Sequence, residues 1–206
     1  MASNKEQLEE ANVRKAPLFS ALDDASAASL RASMTPVKVS KGSTLFKEGD
    51  SGDRLYVVLD GKLKLGTAST DGRENLLSIL GPGDMFGELS AFDPGPRAAT
   101  ATAVTDAKLL SLAHDQVIGL ITQHPKVGLQ LLGRLAQRLR RTNETLADLV
   151  FSDVPGRVAK AIMDLGTRFG VSKDDGLHVN HDLTQEELAQ LVGASRETVN
   201  KALADL

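Results

Sequence analysis

The spacing of hydrophobic positions changes twice along this chain. Residues 18–34, LFSALDDASAASLRASM, place apolar side chains at helical spacing, with Asp23 and Asp24 available as an N-terminal cap. After Pro36 the pattern becomes short alternating runs broken by Gly and Asp. Asp60–Gly61 and Asp71–Gly72 each separate alternating apolar segments, which predicts two β-hairpins. Glycines at 42, 49, 52, 61, 66, 72, 81, 83, 87 and 95 punctuate the stretch. Residues 37–112 are therefore expected to form an antiparallel β-barrel or roll. EGDSGD, residues 48–53, reads as a β-turn within that roll rather than as a calcium loop.

From Pro125 the period lengthens. Leu132, Leu135, Leu139, Thr142, Leu146 and Leu149 form a heptad seam, with Arg134, Arg138, Arg140 and Arg141 on other faces. A strict repeat of this kind predicts one long helix that pairs with a second copy. Thr142 is a polar residue within that seam. At Phe151-Ser152-Asp153-Val154-Pro155 the helix ends; Asp153 is suited to cap the next one and Pro155 to its first turn. A helix over about 155–169 should end at Gly170, before a polar loop containing Asp174-Asp175-Gly176. The expected fold class is α+β. Residues 1–124 form a β-roll with N-terminal helices, 125–152 a dimerisation helix, and 153–206 a helix-turn-helix domain. The first fifteen or so residues read only as a polar segment.

The last segment, LTQEELAQLVGASRETVNKALADL, carries the clearest local signals. Thr184 and Glu187 make a capping box. Leu188, Ala189, Leu191 and Val192 supply an apolar face, and Gly193 suits a left-handed turn. Ser195 caps a second helix whose inner face is Val199, Ala202 and Leu203. Two short helices about a Gly turn predict a helix-turn-helix with the second helix in the major groove. Arg196 suits bidentate contact with guanine, Glu197 a cytosine amino group, and Lys201 a second guanine or a phosphate. Thr184, Ser195 and Thr198 suit phosphate oxygens.

Composition narrows the picture. Hydrophobic residues make up 41% of the chain and aromatics only 3%, so the cores must be aliphatic. With no Cys, disulfides, Cys-ligated zinc and Cys-held iron–sulfur clusters are excluded. His114, His124, His178 and His181 lack a metal-ligand spacing, and no metal is expected. No apolar run approaches the ~20 residues of a membrane helix. The polar start is no secretory signal, so a cytoplasmic protein without membrane partners is expected. Charge points the other way from DNA: the net is −3, and residues 153–206 hold 6 basic against 9 acidic side chains.

VGASRETVNKAL after LTQEELAQL resembles the DNA-binding domain of the cyclic-AMP receptor protein superfamily. FGELSAFDPGPRAATA resembles its phosphate-binding cassette, and LADLVFSDVPGRVAK its junction between dimer helix and hinge. The wording is most similar to the actinobacterial receptors of the GlxR type, and the likeness runs from about residue 17 onward. It implies a cyclic-AMP-responsive, sequence-specific regulator that acts as a homodimer, with no enzymatic activity. Gly87 would let the backbone approach the phosphate, with the amides of Glu88, Leu89 and Ser90 facing it. Glu88 would accept from the ribose 2′-OH, and Arg97, on the strand after the DPGP turn, would hold the phosphate. Without the resemblance, Glu88 and Arg97 read as an ordinary ion pair. Thr142 and Asn143 match the two positions that read adenine, one from each subunit.

Two positions depart from the pattern. Asn143 replaces a serine, and Ala98 stands where the family usually has Ser or Thr. The second change removes a hydroxyl whose bond to a charged group is worth roughly 1.5–3 kcal/mol. The alternatives are therefore a constitutive regulator or one that answers another nucleotide such as cyclic GMP. A regulatory subunit of a kinase or channel would share the roll but not the helix-turn-helix. Haem and iron–sulfur sensing lack their cysteines. The chain stops at Leu206, inside the reading helix, whereas family members continue into a β-hairpin wing. The expectation is that a wing is missing and that restoring it raises DNA affinity. The remaining implied partners are a pseudo-palindromic duplex with half-sites similar to GTGA and RNA polymerase.

Overall fold

The computed structural model describes residues 4–70, 72, 74–93 and 95–205. Asp71 of the second Asp–Gly pair, Pro94 of the DPGP turn and Leu206 lie outside the described residues. Contacts divide the chain into two compact units, one of residues 1–67 and 79–137 and the other of 68–78 and 138–206.

The first unit opens with α1 (Asn4–Lys15), α2 (Pro17–Ser20) and α3 (Asp24–Ser33). The segment read only as polar is thus helical, and its C-terminal end is anchored. Val13 is buried, and Asn12 Nδ2 donates to the Leu59 carbonyl at 3.2 Å. The helical spacing over 18–34 resolves into two helices, α2 and α3, on either side of the Asp23 cap. Asp23 stays extended and accepts from Ser26 N at 2.8 Å, starting α3 where the sequence offers a cap. The eight strands that follow are β1 (Thr35–Val39), β2 (Thr44–Phe46), β3 (Arg54–Asp60), β4 (Leu63–Ala68), β5 (Glu74–Leu80), β6 (Met85–Phe86), β7 (Thr100–Ala103) and β8 (Ala107–Ala113). They form two four-stranded sheets, ordered β1-β8-β3-β6 and β2-β7-β4-β5. Each of the pairings β1–β8, β3–β8, β3–β6, β2–β7 and β4–β7 is antiparallel. The expected roll is present.

Its first Asp–Gly turn differs from the expectation. Gly61 has a φ of +84°, but β3 and β4 belong to different sheets, so Asp60–Gly61 is a corner and not a hairpin. A side chain at Gly61 would collide with the Asp106 carbonyl, because the β7–β8 corner packs alongside. Lys62 N donates to Thr105 Oγ1 at 2.9 Å and Val104 N to the Lys62 carbonyl at 2.8 Å, which ties the two corners together. Turn chemistry sets the local backbone; the partner of each strand is chosen by burial. At the second pair, β4 and β5 are neighbours, and Gly72 has a φ of +81° with its N–H on the Ser69 carbonyl.

Within the β1-β8-β3-β6 sheet, β3 is buried on both faces. Leu55, Val57 and Leu59 of β3 pack with Leu18, Phe19 and Leu30, whereas Val58 faces a second cluster with Leu63, Phe86 and Ala101. Double burial explains why LYVVL is a nearly continuous apolar run. After α4 (Leu89–Phe92), α5 (His114–Gln123) covers the first cluster through Val117, and the start of α6 (Pro125–Phe151) does so through Val127 and Leu131.

In the second unit, α6 ends at Phe151 and α7 (Val154–Phe169) begins at once. Asp153 caps it by accepting from Gly156 N at 2.9 Å, with Pro155 in the first turn. The polar loop expected after Gly170 is a two-stranded hairpin, β9 (Gly170–Lys173) and β10 (Gly176–Val179). Leu177 and Val179 lie against Gly166 of α7, and that packing, invisible in so polar a segment, orders it. α8 (Gln185–Val192) and α9 (Arg196–Asp205) then close a core of Val158, Leu165, Leu188, Val192, Val199 and Ala202. Asp153→Ala should lower the stability of this unit by about 1 kcal/mol. The change would appear as a lower urea midpoint at constant slope, and an unshifted midpoint would show that Pro155 sets the helix start alone.

Candidate functional site

Gly87, Glu88 and Arg97 lie around the turn between β6 and α4 and the segment before β7. Gly87 has a φ of +79°, a conformation that turns the chain between β6 and α4. Glu88 follows, 2% exposed, then Leu89, which is exposed, and Ser90, which is buried. Arg97 is 4% exposed. Its Nη1 donates to the Gly87 carbonyl at 3.1 Å, and its guanidinium lies 4.3 Å from the centroid of Phe46 and 5.8 Å from that of Tyr56. The buried Nε has no hydrogen-bond partner among the described residues. A buried cation with an unmatched donor fits an anionic ligand, because desolvation without a counter-charge is costly.

Arg97 is not on a strand. It precedes β7 and is held by backbone bonds to the turn at residues 47–50. Arg97 N donates to the Asp50 carbonyl at 2.8 Å, and Gly49 N to the Arg97 carbonyl at 2.9 Å. EGDSGD therefore contains the expected turn, closed by Lys47 N on Asp50 Oδ2 at 2.8 Å, and it clamps the segment that carries the arginine. Ala98 is exposed beside it.

Gly87, Glu88, Ser90 and Arg97 are brought together, with Leu89 and Ala98 flanking them. Thr142 and Asn143 stand in the second unit, exposed on α6. Thr142 Oγ1 donates to the Arg138 carbonyl at 3.1 Å, a bond within its own helix. Along that helix Leu132, Leu139 and Leu146 are each more than 60% exposed, so the seam is an uncovered apolar stripe.

The helix-turn-helix is built as its residues predict. Thr184 Oγ1 accepts from Glu187 N at 3.1 Å, and Glu187 Oε2 accepts from Thr184 N at 2.8 Å. Gly193 has a φ of +70° at the end of α8. Ser195 Oγ accepts from Thr198 N at 3.2 Å. Ser195, Arg196, Glu197, Thr198 and Lys201 are all exposed, whereas Val199 and Ala202 are buried. The polar side chains of α9 thus share a face away from the core.

Several participants were not singled out from the sequence. Phe46, Tyr56 and Phe86 pack with ring centroids 5.3–6.0 Å apart, forming the platform beneath Arg97. Burial raises the Tyr56 phenol above its ordinary pKa of 10.0, and the Arg97 charge pulls the other way. In so aromatic-poor a chain, three rings were a signal, but they are ten and thirty residues apart. A side chain at Gly52 would collide with Ser90 and press on Arg97 Nε at 3.0 Å, so this glycine belongs to the cradle. Arg157 is the other omission. Its guanidinium donates to the carbonyls of Ser152 at 2.8 Å, Val192 at 3.0 Å and Gly193 at 3.3 Å, joining the hinge to the reading turn. Lys160 pairs with Asp148 nearby, and nothing in the spacing of these charges foretold either bond. His178 bonds Asp175 at 2.9 Å, and His181 Nδ1 accepts from Leu183 N at 3.0 Å.

Residues 36–124 match the family model of the cyclic nucleotide-binding domain, and residues 156–206 that of the Crp-like helix-turn-helix domain. The chain is 54% identical over 191 residues to the CRP-like cAMP-activated global transcriptional regulator of Mycobacterium tuberculosis, covering 93% of this chain and 85% of that protein. It is 39% identical over 163 residues to the cyclic AMP receptor protein of Thermus thermophilus, covering 79% and 72% respectively. Among solved structures, the N-terminal domain of a transcriptional regulator from Streptomyces coelicolor is similar, with a TM-score of 0.54 and 52% identity over 69% of this chain and 95% of that one. The Thermus thermophilus catabolite activator protein is also similar, with a TM-score of 0.61 and 34% identity over 93% and 86%.

A Cβ added at Gly87 would lie 2.8 Å from Arg97 Nη1 and 3.0 Å from the Arg54 carbonyl, at a positive φ. Gly87→Ala is accordingly expected to cost more than about 1 kcal/mol of stability in the roll. Urea denaturation of the variant checks this, and wild-type stability would mean that the cradle backbone yields freely.

Proposed function

Because the chain belongs to the cyclic-AMP receptor protein family of transcription regulators, we infer that it is a cyclic-AMP-responsive, sequence-specific DNA-binding regulator that acts as a homodimer in the cytoplasm. The observation that carries the ligand is buried Arg97, seated on Phe46 with an unmatched Nε beside Gly87 and Glu88. The singly charged cyclic phosphate would give the Arg97 guanidinium an ionic partner, and the buried Glu88 carboxylate is the acceptor assigned to the ribose 2′-OH. Leu89 and Ser90 offer backbone amides to the phosphate. Ala98 contributes no hydroxyl, so Arg97 carries more of the recognition than it would with a Ser or Thr beside it.

The exposed leucine stripe of α6 is assigned to the dimer, and Thr142 and Asn143 on that helix to the adenine. For Thr142 to meet the base, its hydroxyl keeps the proton on the Arg138 carbonyl and offers a lone pair. Ligand bound there biases the packing of two helices, and the break at residues 152–153 passes the change to the reading heads. A two-fold dimer reads a pseudo-palindrome with half-sites about one helical turn, ~34 Å, apart. Arg196, Glu197 and Lys201 face bases; Thr184, Ser195 and Thr198 face phosphates. RNA polymerase is the partner expected of such a regulator. The domain assignment is a nucleotide-binding roll over 1–124, a dimerisation helix over 125–152 and a DNA-reading domain over 153–206.

Titration calorimetry with cyclic AMP and cyclic GMP tests the sensor. Micromolar cyclic AMP binding that is lost in Arg97→Gln supports the assignment; no heat from a folded dimer with either nucleotide refutes it. For the reading head, Arg196→Ala should cost about 1–3 kcal/mol on the cognate site and relax one base position. Equal loss on every duplex would reduce Arg196 to a phosphate contact.

A further inference from the structure

The first residue of α8 reaches across to the reading face of α9. Gln185 Oε1 accepts from Arg196 Nη2 at 3.3 Å and from Asn200 Nδ2 at 3.3 Å. Arg196 and Asn200 are four residues apart and so lie one above the other on the helix. One carboxamide oxygen therefore ties together two polar side chains of α9 that face it from successive turns. Both ends of the tie are fixed. The Thr184–Glu187 capping box sets the backbone on which Gln185 stands, and buried Val199 and Ala202 set the rotation of α9. Asn200 is half-buried, its Nδ2 is held by Gln185, and its enclosed Oδ1 has no hydrogen-bond partner among the described residues. Arg196, by contrast, is an exposed side chain with several rotatable bonds, and the bond to Gln185 restrains its guanidinium.

We propose that Gln185 is a positioning residue for base recognition: it aligns the Arg196 guanidinium and the Asn200 carboxamide before DNA arrives. Discrimination at the base pair that Arg196 faces then depends on a residue that need not touch a base. The proposal rests on the reading of Arg196 as a base-contacting residue. The chemistry required at position 185 is an acceptor oxygen at this reach. Glutamate retains it, whereas methionine matches the length of the side chain and offers only a weak thioether acceptor.

The test uses the full chain with cyclic AMP and fluorescence anisotropy on three kinds of duplex: the cognate site, the same site changed one base pair at a time, and an unrelated sequence. Arg196→Ala first identifies the base pair at which discrimination is lost. Gln185→Met should lower discrimination at that pair by roughly three- to tenfold and leave discrimination at the other pairs unchanged. Gln185→Glu should bind every duplex more weakly, through repulsion of phosphate, yet keep the wild-type ratio at that pair. Full discrimination in Gln185→Met overturns the proposal, as does an equal loss on all duplexes in both variants, which marks Gln185 as a phosphate contact. If Arg196→Ala relaxes no base pair, the base-reading role of Arg196 is wrong and the proposal falls with it.

Discussion

A guanidinium enclosed in an aliphatic roll is the constraint on which the first unit depends. At 4% exposure Arg97 has lost most of its water, a loss that costs several kcal/mol unless other groups offset it. The Gly87 carbonyl and the face of Phe46 do so in part. Each offset dictates something else. The carbonyl is presented only because Gly87 takes a positive φ, and the guanidinium fits only because Gly52 has no side chain. The turn at residues 47–50 fixes the Arg97 backbone from both sides. What remains unmatched among the described residues is the Nε proton, the donor that the proposed function assigns to an anionic ligand.

The second unit is organised by backbone termini rather than by a buried charge. Asp153, Thr184 with Glu187, and Ser195 each satisfy donors at the start of a helix, and Gly193 turns the chain between the last two. Arg157 answers the opposite need by giving donors to the carbonyls at the ends of α6 and α8. The polar face of α9 is consequently held by short-range bonds, while Val199 and Ala202 hold its other face. Residues 153–206 are net acidic, with 6 basic against 9 acidic side chains. The base and phosphate contacts proposed for α9 therefore rely on a few placed side chains, while the acidic residues lower the long-range attraction.

Legibility followed range. The caps at Asp23, Asp153 and Thr184, the left-handed glycine at 193 and the long α6 were readable because three- and four-residue spacings decide them. The Asp60–Gly61 pair was read correctly as a turn and wrongly as a hairpin, because which strand accepts β3 depends on β8, some fifty residues away. α1 was missed since its anchoring residues, Asn12 and Val13, reveal themselves only against the sheet. In the candidate site, Gly87, Glu88, Ser90 and Arg97 stood inside one motif. Phe46, Tyr56 and Gly52 came from other segments, and only the folded roll places them against the arginine.

If cyclic AMP and DNA bias one equilibrium of this chain, each must change the affinity of the other by the same factor. The measurement is the cyclic-AMP dissociation constant of the full chain, taken with and without a saturating cognate duplex. A saturating cognate duplex should tighten cyclic-AMP binding by the same factor by which cyclic AMP tightens DNA binding, about 5- to 150-fold for an allosteric regulator. An unchanged dissociation constant, with both ligands bound, would contradict it.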